Sequence, residues 1–169
     1  TLLLNKNAGS YFFLGEIYTD LELPIDEPEI VSHCGSCTSC MDVCPTKAFE
    51  GPNQLDARKC ISYLTIEYKG SIKEELRPMM GNRIFGCDDC QIFCPWNKFL
   101  KITDEADFKP RHNLDDIDLS NLFMWSEEEF LEKTQGSPIR RAGYESWLRN
   151  IAIALGNAES SVEVLRVLH

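Results

Sequence analysis

The chain has 169 residues, of which 43% are hydrophobic, and a formal net charge of −10. This composition excludes a disordered tail and predicts one or two small packed units. The acidic balance argues against a generic nucleic-acid binder. The longest apolar runs, such as 151–155, fall far short of the ~20 residues that a transmembrane helix needs, so we expect no membrane span.

Residues 1–23 carry apolar side chains in an alternating pattern that is typical of strands. We predict two strands, joined near the turn at 7–9 and left over from the edge of a larger sheet. The chain starts at Thr1 without a methionine or a signal-like apolar run, so we also expect that an N-terminal partner domain is missing. Residues 24–33 are expected to form a linker to the next domain.

The strongest signal is a run of four cysteines followed by proline, CGSCTSCMDVCP at 34–45. Its C-x2-C-x2-C-x3-C-P spacing is that of bacterial ferredoxins, in which three thiolates of one loop bind a [4Fe–4S] cluster and the fourth binds a second cluster. A zinc site would use two separated cysteine pairs and would leave the third close cysteine unexplained. A disulfide framework suits short secreted domains, and no secretory signal is present.

A second run at 87–95 repeats the end of this motif, but Ile84 stands where its first cysteine would be. Cys60 is the only thiol outside the two runs, so we predict that it completes the second set. In paired clusters of this kind the last cysteine of a run binds the other cluster. We therefore predict two [4Fe–4S] clusters: cluster one on Cys34, Cys37, Cys40 and Cys94, and cluster two on Cys44, Cys60, Cys87 and Cys90.

Helix signals accompany the cysteine runs. Asp56 is a typical cap for a helix that bears Ile61 and Leu64 on one face. A capping box at 71–74 predicts another short helix that ends at Pro78.

The last third of the chain predicts helices that are joined by short loops. Capping boxes at 126–129 and 160–163 mark two helix starts, and Ser137-Pro138 marks a third, while Gly136 and Gly156 are stop signals. This organisation favours a stacked helical-repeat unit. The helical spacing predicts one core stripe, formed by Ile139, Gly143, Trp147 and Ile151.

Four sequence blocks have the motifs of one protein family. They are HCGSCTSCMDVCPTKAF, LDARKCISYLTIEYKG, GNRIFGCDDCQIFCPWN and SPIRRAGYESWLRNIAIALGN. They include the displaced cysteine Cys60, the GCDDC block at 86–90 and the IALGN helix end at 153–157. Over nearly its whole length, the chain resembles the C-terminal half of the epoxyqueuosine reductase family.

This resemblance implies an oxidoreductase that removes the epoxide oxygen of epoxyqueuosine in the tRNA anticodon loop. It implies cobalamin for the chemistry and two [4Fe–4S] clusters as the electron supply. It further implies a cytoplasmic monomer that a donor such as ferredoxin or flavodoxin reduces. The acidic proton donor belongs to the N-terminal corrinoid domain of the family, so we assign no catalytic residue here and expect the chain alone to be inactive.

The matched blocks also imply candidate contacts. Ser62, Cys87 and Asp88 lie in blocks that face the corrinoid in the family, although hydrogen bonding within the cluster loops would also explain them. For tRNA, cations would contact phosphates and an aromatic ring would stack on an unpaired base. The tRNA candidates are Lys69, Lys73, Arg140, Arg141 and Tyr144.

The expected fold is α+β and mostly helical. Residues 1–23 would be a strand remnant that ends the corrinoid-binding domain, residues 24–100 a bacterial-type ferredoxin-like double-[4Fe–4S] domain, and residues 101–169 a linker and a HEAT-like helical tail. Two alternatives stay open: a free-standing two-cluster ferredoxin-type carrier, and part of a reductive dehalogenase-like corrinoid reductase. A carrier would be expected to end soon after its second cysteine run, and a dehalogenase explains the tail less well.

Overall fold

The computed structural model describes residues 2–168, and helices dominate it, as predicted. The α-helices are α1 Ser39–Asp42, α2 Ile61–Ile66, α3 Arg77–Met80, α4 Asp89–Ile92, α5 Leu119–Phe123, α6 Glu127–Lys133, α7 Tyr144–Gly156 and α8 Val162–Leu168. Five 3-10 helices span Ala57–Lys59, Glu74–Leu76, Pro95–Phe99, Ala106–Phe108 and Pro138–Ala142. Strands β1 Phe49–Gly51 and β2 Gln54–Leu55 form a small antiparallel sheet. Within the described range, no helix has both the length and the apolar character to cross a bilayer.

The N-terminal segment forms a tight turn but not the predicted pair of strands. The Asn5 amide donates to the Gly9 carbonyl at 2.8 Å in an isolated bridge. Residues 11–23 have no strand partner within 2–168, and their side chains are exposed. An alternating pattern needs a neighbouring strand to pair its backbone, so the prediction of two strands is wrong for the described residues. The turn is confirmed; Thr1 lies outside the described residues.

Gly9 and Ser10 fasten this turn to the segment that follows the last cysteine. The buried Asn97 side chain accepts from the Ser10 amide at 2.7 Å and donates to the Ser10 hydroxyl at 3.0 Å. Gly9 has φ of +74°, and a Cβ there would lie 2.2 Å from Asn97 Oδ1. Only glycine meets both the backbone and the space requirement at this position.

Gly9→Ala should therefore destabilise the protein. Left-handed backbone strain alone contributes about 1–3 kcal/mol, and the clash with Asn97 adds to it. Thermal unfolding followed by circular dichroism measures the effect. Gly15→Ala is the matched control, because no atom beyond its own chain neighbours lies within 4 Å of its Cβ position. Equal midpoints for the two variants would contradict the anchoring role of the turn.

A hairpin and helix α2 frame the cysteine-rich unit. Strands β1 and β2 pair Phe49 with Leu55. Asp56 caps the 3-10 helix Ala57–Lys59, where it accepts from the Arg58 amide at 3.1 Å, and α2 follows. Asp56 is therefore a helix cap, as predicted, but it caps the 3-10 helix that precedes α2 rather than α2 itself. The buried core of this unit consists of Ile61, Leu64, Ile72, Leu76 and Met80.

The capping box that was predicted at 71–74 does not form. The Ser71 hydroxyl accepts from Arg77 at 3.3 Å, and the 3-10 helix Glu74–Leu76 has no side-chain cap. Pro78 lies in the first turn of α3 rather than at a helix end. The missing N–H of proline is harmless in a first turn, so the same residue starts a helix here.

Helix α6 begins as predicted. The Ser126 hydroxyl accepts from the Glu129 amide at 3.2 Å, and the Glu129 carboxylate accepts from the Ser126 amide at 2.9 Å. This capping box is confirmed. Helix α8 is capped instead one residue later than predicted, because the Ser161 hydroxyl accepts from the Val164 amide at 3.1 Å.

The helix predicted from Pro138 to Gly156 is divided. Pro138 starts a 3-10 helix that ends at Ala142, and Gly143, with φ of +76°, separates it from α7. Helix α7 ends at Gly156, as predicted. Apolar periodicity continues across Gly143, so the backbone break was not visible in the pattern.

Helix α7 forms the centre of the larger core. Trp147 and Ile151 are 1% and 0% exposed. The Trp147 ring centroid lies 5.9 Å from that of Trp125 and 5.6 Å from that of Phe130. Ile139 packs against the same core, so the predicted stripe is confirmed there. The helical tail is present, and its HEAT-like character stays a prediction.

Candidate iron–sulfur centres

The eight cysteine side chains line two cavities, and none of them forms a disulfide. The cysteines of the first cavity, of about 30 Å³, are Cys34, Cys37, Cys40 and Cys94. Those of the second, of about 120 Å³, are Cys44, Cys60, Cys87 and Cys90. These two sets coincide with the two predicted quartets, including the cross-over of the last cysteine in each run.

Apolar side chains close the walls of both cavities. Leu4 and Trp96 border the first, and Phe49 and Ile61 border the second. Solvent exposure and hydrogen bonds to sulfur set the reduction potential of iron–sulfur clusters. The apolar walls shield part of each quartet from water, whereas Cys37 is exposed.

The arrangement of thiols fits iron–sulfur clusters. Four thiols around a cavity are what a [4Fe–4S] cluster requires. The donor sets therefore match the chemistry that the spacing predicts.

Backbone turns hold the first quartet in a compact loop. The Cys37 amide donates to the Cys34 carbonyl at 2.9 Å, and Gly35 between them has φ of +52°. The Ser39 hydroxyl lies 3.4 Å from the Cys37 sulfur, and hydrogen bonding from Ser39 lowers the pKa of the Cys37 thiol. A lowered pKa favours the thiolate, which is the form that binds iron.

Burial and neighbouring groups raise the pKa values of two cysteines in the second quartet. Burial raises the pKa of Cys87, and burial together with the neighbouring thiols raises the pKa of Cys90 to about 11. Cys40 of the first quartet contributes to the shift at Cys90, and helix α1, which carries Cys40, contacts helix α4, which carries Cys90, so the two cavities are neighbours. The raised pKa values keep the Cys87 and Cys90 thiols protonated near neutral pH, and bound iron would supply the positive charge that favours their thiolates.

Cys44 and Cys60 are fixed by local hydrogen bonds. The Cys44 sulfur accepts from the Ala48 amide at 3.3 Å. The Cys60 carbonyl accepts from the Leu64 amide at 2.9 Å, which places Cys60 at the start of α2. Just before it, the hydrogen bond from the Arg58 side chain lowers the pKa of Asp56 to about 2, so the cap stays ionised.

Two hydroxyl groups of α2 hold the loop that carries Cys87. The Ser62 hydroxyl accepts from the Cys87 amide at 3.1 Å, and the Thr65 hydroxyl accepts from the Gly86 amide at 2.9 Å. The Thr65 hydroxyl, fully buried, also donates to the Ile61 carbonyl at 2.7 Å. Helix α2 thus connects the segment of Cys60 to the loop of Cys87.

An open groove of about 540 Å³ adjoins this loop. The three candidate corrinoid contacts, Ser62, Cys87 and Asp88, all line it. Arg83, on the same wall, forms an ion pair with Asp89 at 2.7 Å. The candidates therefore share one surface, and Ser62 also has a role within the cluster loop.

The candidate cations for tRNA differ in their surroundings. Lys69 donates to the Ala142 carbonyl at 2.5 Å, and Arg141 pairs with Glu67 at 2.8 Å, so both connect the end of α2 to the turn before α7. The Lys73 side chain is 76% exposed and lies 3.8 Å from Glu75. Arg140 is exposed, and its side chain has no ion pair with any described residue.

Tyr144 belongs to the core rather than to an open surface. Its hydroxyl donates to the Trp125 carbonyl at 2.6 Å, and its ring centroid lies 5.9 Å from that of Phe130. The half-buried ring therefore packs against the core of the tail. Its role in stacking on a tRNA base stays a prediction.

Sequence reasoning missed the polar side chains of α7 that face the cysteine-rich unit. Arg149 donates to the carbonyls of Leu64, Tyr68 and Gly70 at 2.7, 2.7 and 2.8 Å. Asn150 and Asn157 make similar bonds to other backbone carbonyls of that unit. One feature of the sequence could have revealed these contacts. Asn150 is a polar residue three positions after Trp147, and it therefore lies on the apolar face of the helix.

Comparison with known proteins gives consistent matches. A family model described as a 4Fe-4S double cluster binding domain matches residues 33–97. An epoxyqueuosine reductase of Pseudomonas aeruginosa is 64% identical over 168 residues, which are 99% of this chain and 46% of that protein. One from Escherichia coli is 56% identical, again over 99% of this chain and over 44% of that protein.

Solved structures give the same match. The epoxyqueuosine reductase of Streptococcus thermophilus superposes with a TM-score of 0.78 at 35% identity, over 92% of this chain and 40% of that chain. An epoxyqueuosine reductase crystallised with a tRNA-Tyr epoxyqueuosine-modified stem loop gives 0.70 at 39% identity, over 78% and 35% of the two chains. The chain therefore spans less than half the length of these relatives.

Proposed function

Because this chain belongs to the epoxyqueuosine reductase family over nearly its whole length, we propose that it is the electron-delivery and tRNA-binding part of an enzyme that reduces epoxyqueuosine in tRNA to queuosine. The observation that carries the proposal is the division of the eight cysteines between two neighbouring cavities, four in each. Electrons would enter from a donor such as ferredoxin or flavodoxin and pass between two [4Fe–4S] clusters.

We assign cluster one to the first cavity and cluster two to the second. The groove beside the Cys87 loop supports contact between cluster two and cobalamin, through Ser62, Cys87 and Asp88. Cobalamin would supply the chemistry that removes the epoxide oxygen. The residues of this chain would hold the cluster against it and restrict water at the sulfur atoms, as a monomer in the cytoplasm where tRNA is modified.

The test is anaerobic conversion of epoxyqueuosine-containing tRNA by the protein that contains residues 1–169, supplied with cobalamin and a low-potential reductant. Nucleoside analysis should detect queuosine with the reconstituted clusters and none after Cys60→Ala. Conversion that is equally fast with and without the clusters would reject electron delivery as the role of this part.

Arg140 should contribute more to tRNA binding than Arg141, because Glu67 already offsets the Arg141 charge. Arg140→Ala should weaken binding of a tRNA stem loop. It should also make the negative slope of log K, the association constant, against log [salt] shallower by about 0.7–0.9, the change expected for one lost phosphate contact. Fluorescence anisotropy at several salt concentrations measures this slope.

Arg58→Ala is the control for this experiment, because Arg58 is equally cationic but pairs with Asp56 at 2.9 Å. An unchanged slope in Arg140→Ala would remove Arg140 from the proposed tRNA surface.

A further inference from the structure

Asn150 joins two segments that carry cysteines. It is a fully buried residue of α7. Its side-chain nitrogen donates to the Thr65 carbonyl at 2.8 Å and to the Ile84 carbonyl at 2.9 Å. Thr65 lies in the helix that begins after Cys60, and Ile84 lies three residues before Cys87. One amide group therefore connects the surroundings of both cysteines.

The other side of the same amide is also occupied. Asn150 Oδ1 accepts from Arg149 at 3.1 and 2.9 Å. Arg149 in turn donates to three carbonyls at and beyond the end of α2. A primary amide offers two donors and an acceptor, and both kinds are used here. An ionised carboxylate would keep the contact with Arg149 and lose both donated bonds.

We propose that Asn150, together with Thr65, is a positioning residue for cluster two. The two side chains hold residues 84–87 against α2, Asn150 from the tail and Thr65 from within α2, and so set the spacing between Cys60 and Cys87. This inference rests on the proposed assignment of both cysteines to one cluster. It makes helix α7 part of the cluster-two site, although no residue of α7 is a cysteine.

Asn150→Asp tests the proposal in the reconstituted chain. Asn157→Asp is the control: Asn157, an exposed residue directly after α7, also donates to two carbonyls, those of Arg77 at 2.8 Å and Gly81 at 3.0 Å, and neither adjoins a cysteine. Both substitutions remove two donated bonds between the tail and the cysteine-rich unit. Only Asn150→Asp removes bonds to the two segments that carry Cys60 and Cys87.

Asn150→Asp should lower bound iron from about eight to about four per chain, and Asn157→Asp should keep about eight. After reduction, the electron paramagnetic resonance (EPR) spectrum of the cluster that remains in Asn150→Asp should match that of Cys60→Ala. A general loss of stability would not produce this match. Full iron and unchanged spectra in Asn150→Asp, or equal iron loss in both Asp variants, would overturn the proposal.

Thr65→Val provides the second test if Asn150→Asp does not fold. Valine keeps the shape of the side chain and removes the acceptor for the Gly86 amide. The same selective loss of cluster two is expected, and retention of both clusters would overturn the proposal. A wild-type chain that binds fewer than two clusters would instead reject the proposed function, so the two failures are distinguishable.

Discussion

Cys60→Ala should remove cluster two and leave cluster one in place. Cys60 lies outside both cysteine runs, yet it lines the same cavity as the other three members of its quartet. A cluster with three thiolates loses the iron that has no ligand and then degrades, whereas the first cavity keeps all four of its cysteines. Bound iron should fall from about eight to about four per chain.

Cys94→Ala is the complementary variant. Cys94 belongs to the second cysteine run but lines the first cavity, so its loss should remove cluster one. The two variants should therefore retain equal iron and different EPR spectra after reduction. Full iron in Cys60→Ala would show that Cys60 is not a ligand, and identical spectra in the two variants would contradict the cross-over between the runs.

Trp147→Ala should have the largest effect on stability. The ring is 1% exposed and packs between Trp125 and Phe130 in the centre of the larger core. Truncating a buried tryptophan typically removes about 3–5 kcal/mol. For a chain of this size, that loss lowers the unfolding midpoint by roughly 10 °C. Thermal unfolding under anaerobic conditions, followed by circular dichroism, measures the shift.

Met124→Ala is the control, since Met124 is a large apolar side chain that is 69% exposed. Its midpoint should stay within about 2 °C of wild type, because surface substitutions change stability by about 0.5 kcal/mol or less. A small shift in Trp147→Ala would contradict the view that α7 forms the centre of the tail.

Local signals were the predictable part of this structure. The capping box at 126–129 and the stop at Gly156 depend only on neighbouring residues, and both are confirmed. The spacing and count of the cysteines predicted two quartets, and each quartet lines one cavity, while cluster binding by the quartets stays a prediction. Cys60 was found by count rather than by motif, and its position in the second cavity agrees with that prediction.

The parts that failed depend on distant partners or on single backbone angles. Alternation in residues 1–23 does not reveal whether a neighbouring strand is available. The periodicity of apolar residues gives no sign of the positive φ at Gly143, where the predicted helix is divided. The packing contacts of Tyr144 were not predicted either, because its partner, the Trp125 carbonyl, is 19 residues away.

The hydrogen bonds of Asn150 span 85 and 66 residues, and no local pattern encodes them. The same holds for the bonds from Arg149 that dock α7 on the cysteine-rich unit. Residues that position ligands are in general harder to read from a sequence than the ligands themselves, because their spacing follows the tertiary fold rather than the chemistry of the site.

Anaerobic reconstitution followed by iron and acid-labile sulfide analysis shows directly whether the eight cysteines bind two [4Fe–4S] clusters, four thiolates to each. We expect about eight iron atoms and about eight sulfides per chain. A value of about four for each would leave one cavity without a cluster and would rule out the second quartet as a cluster site.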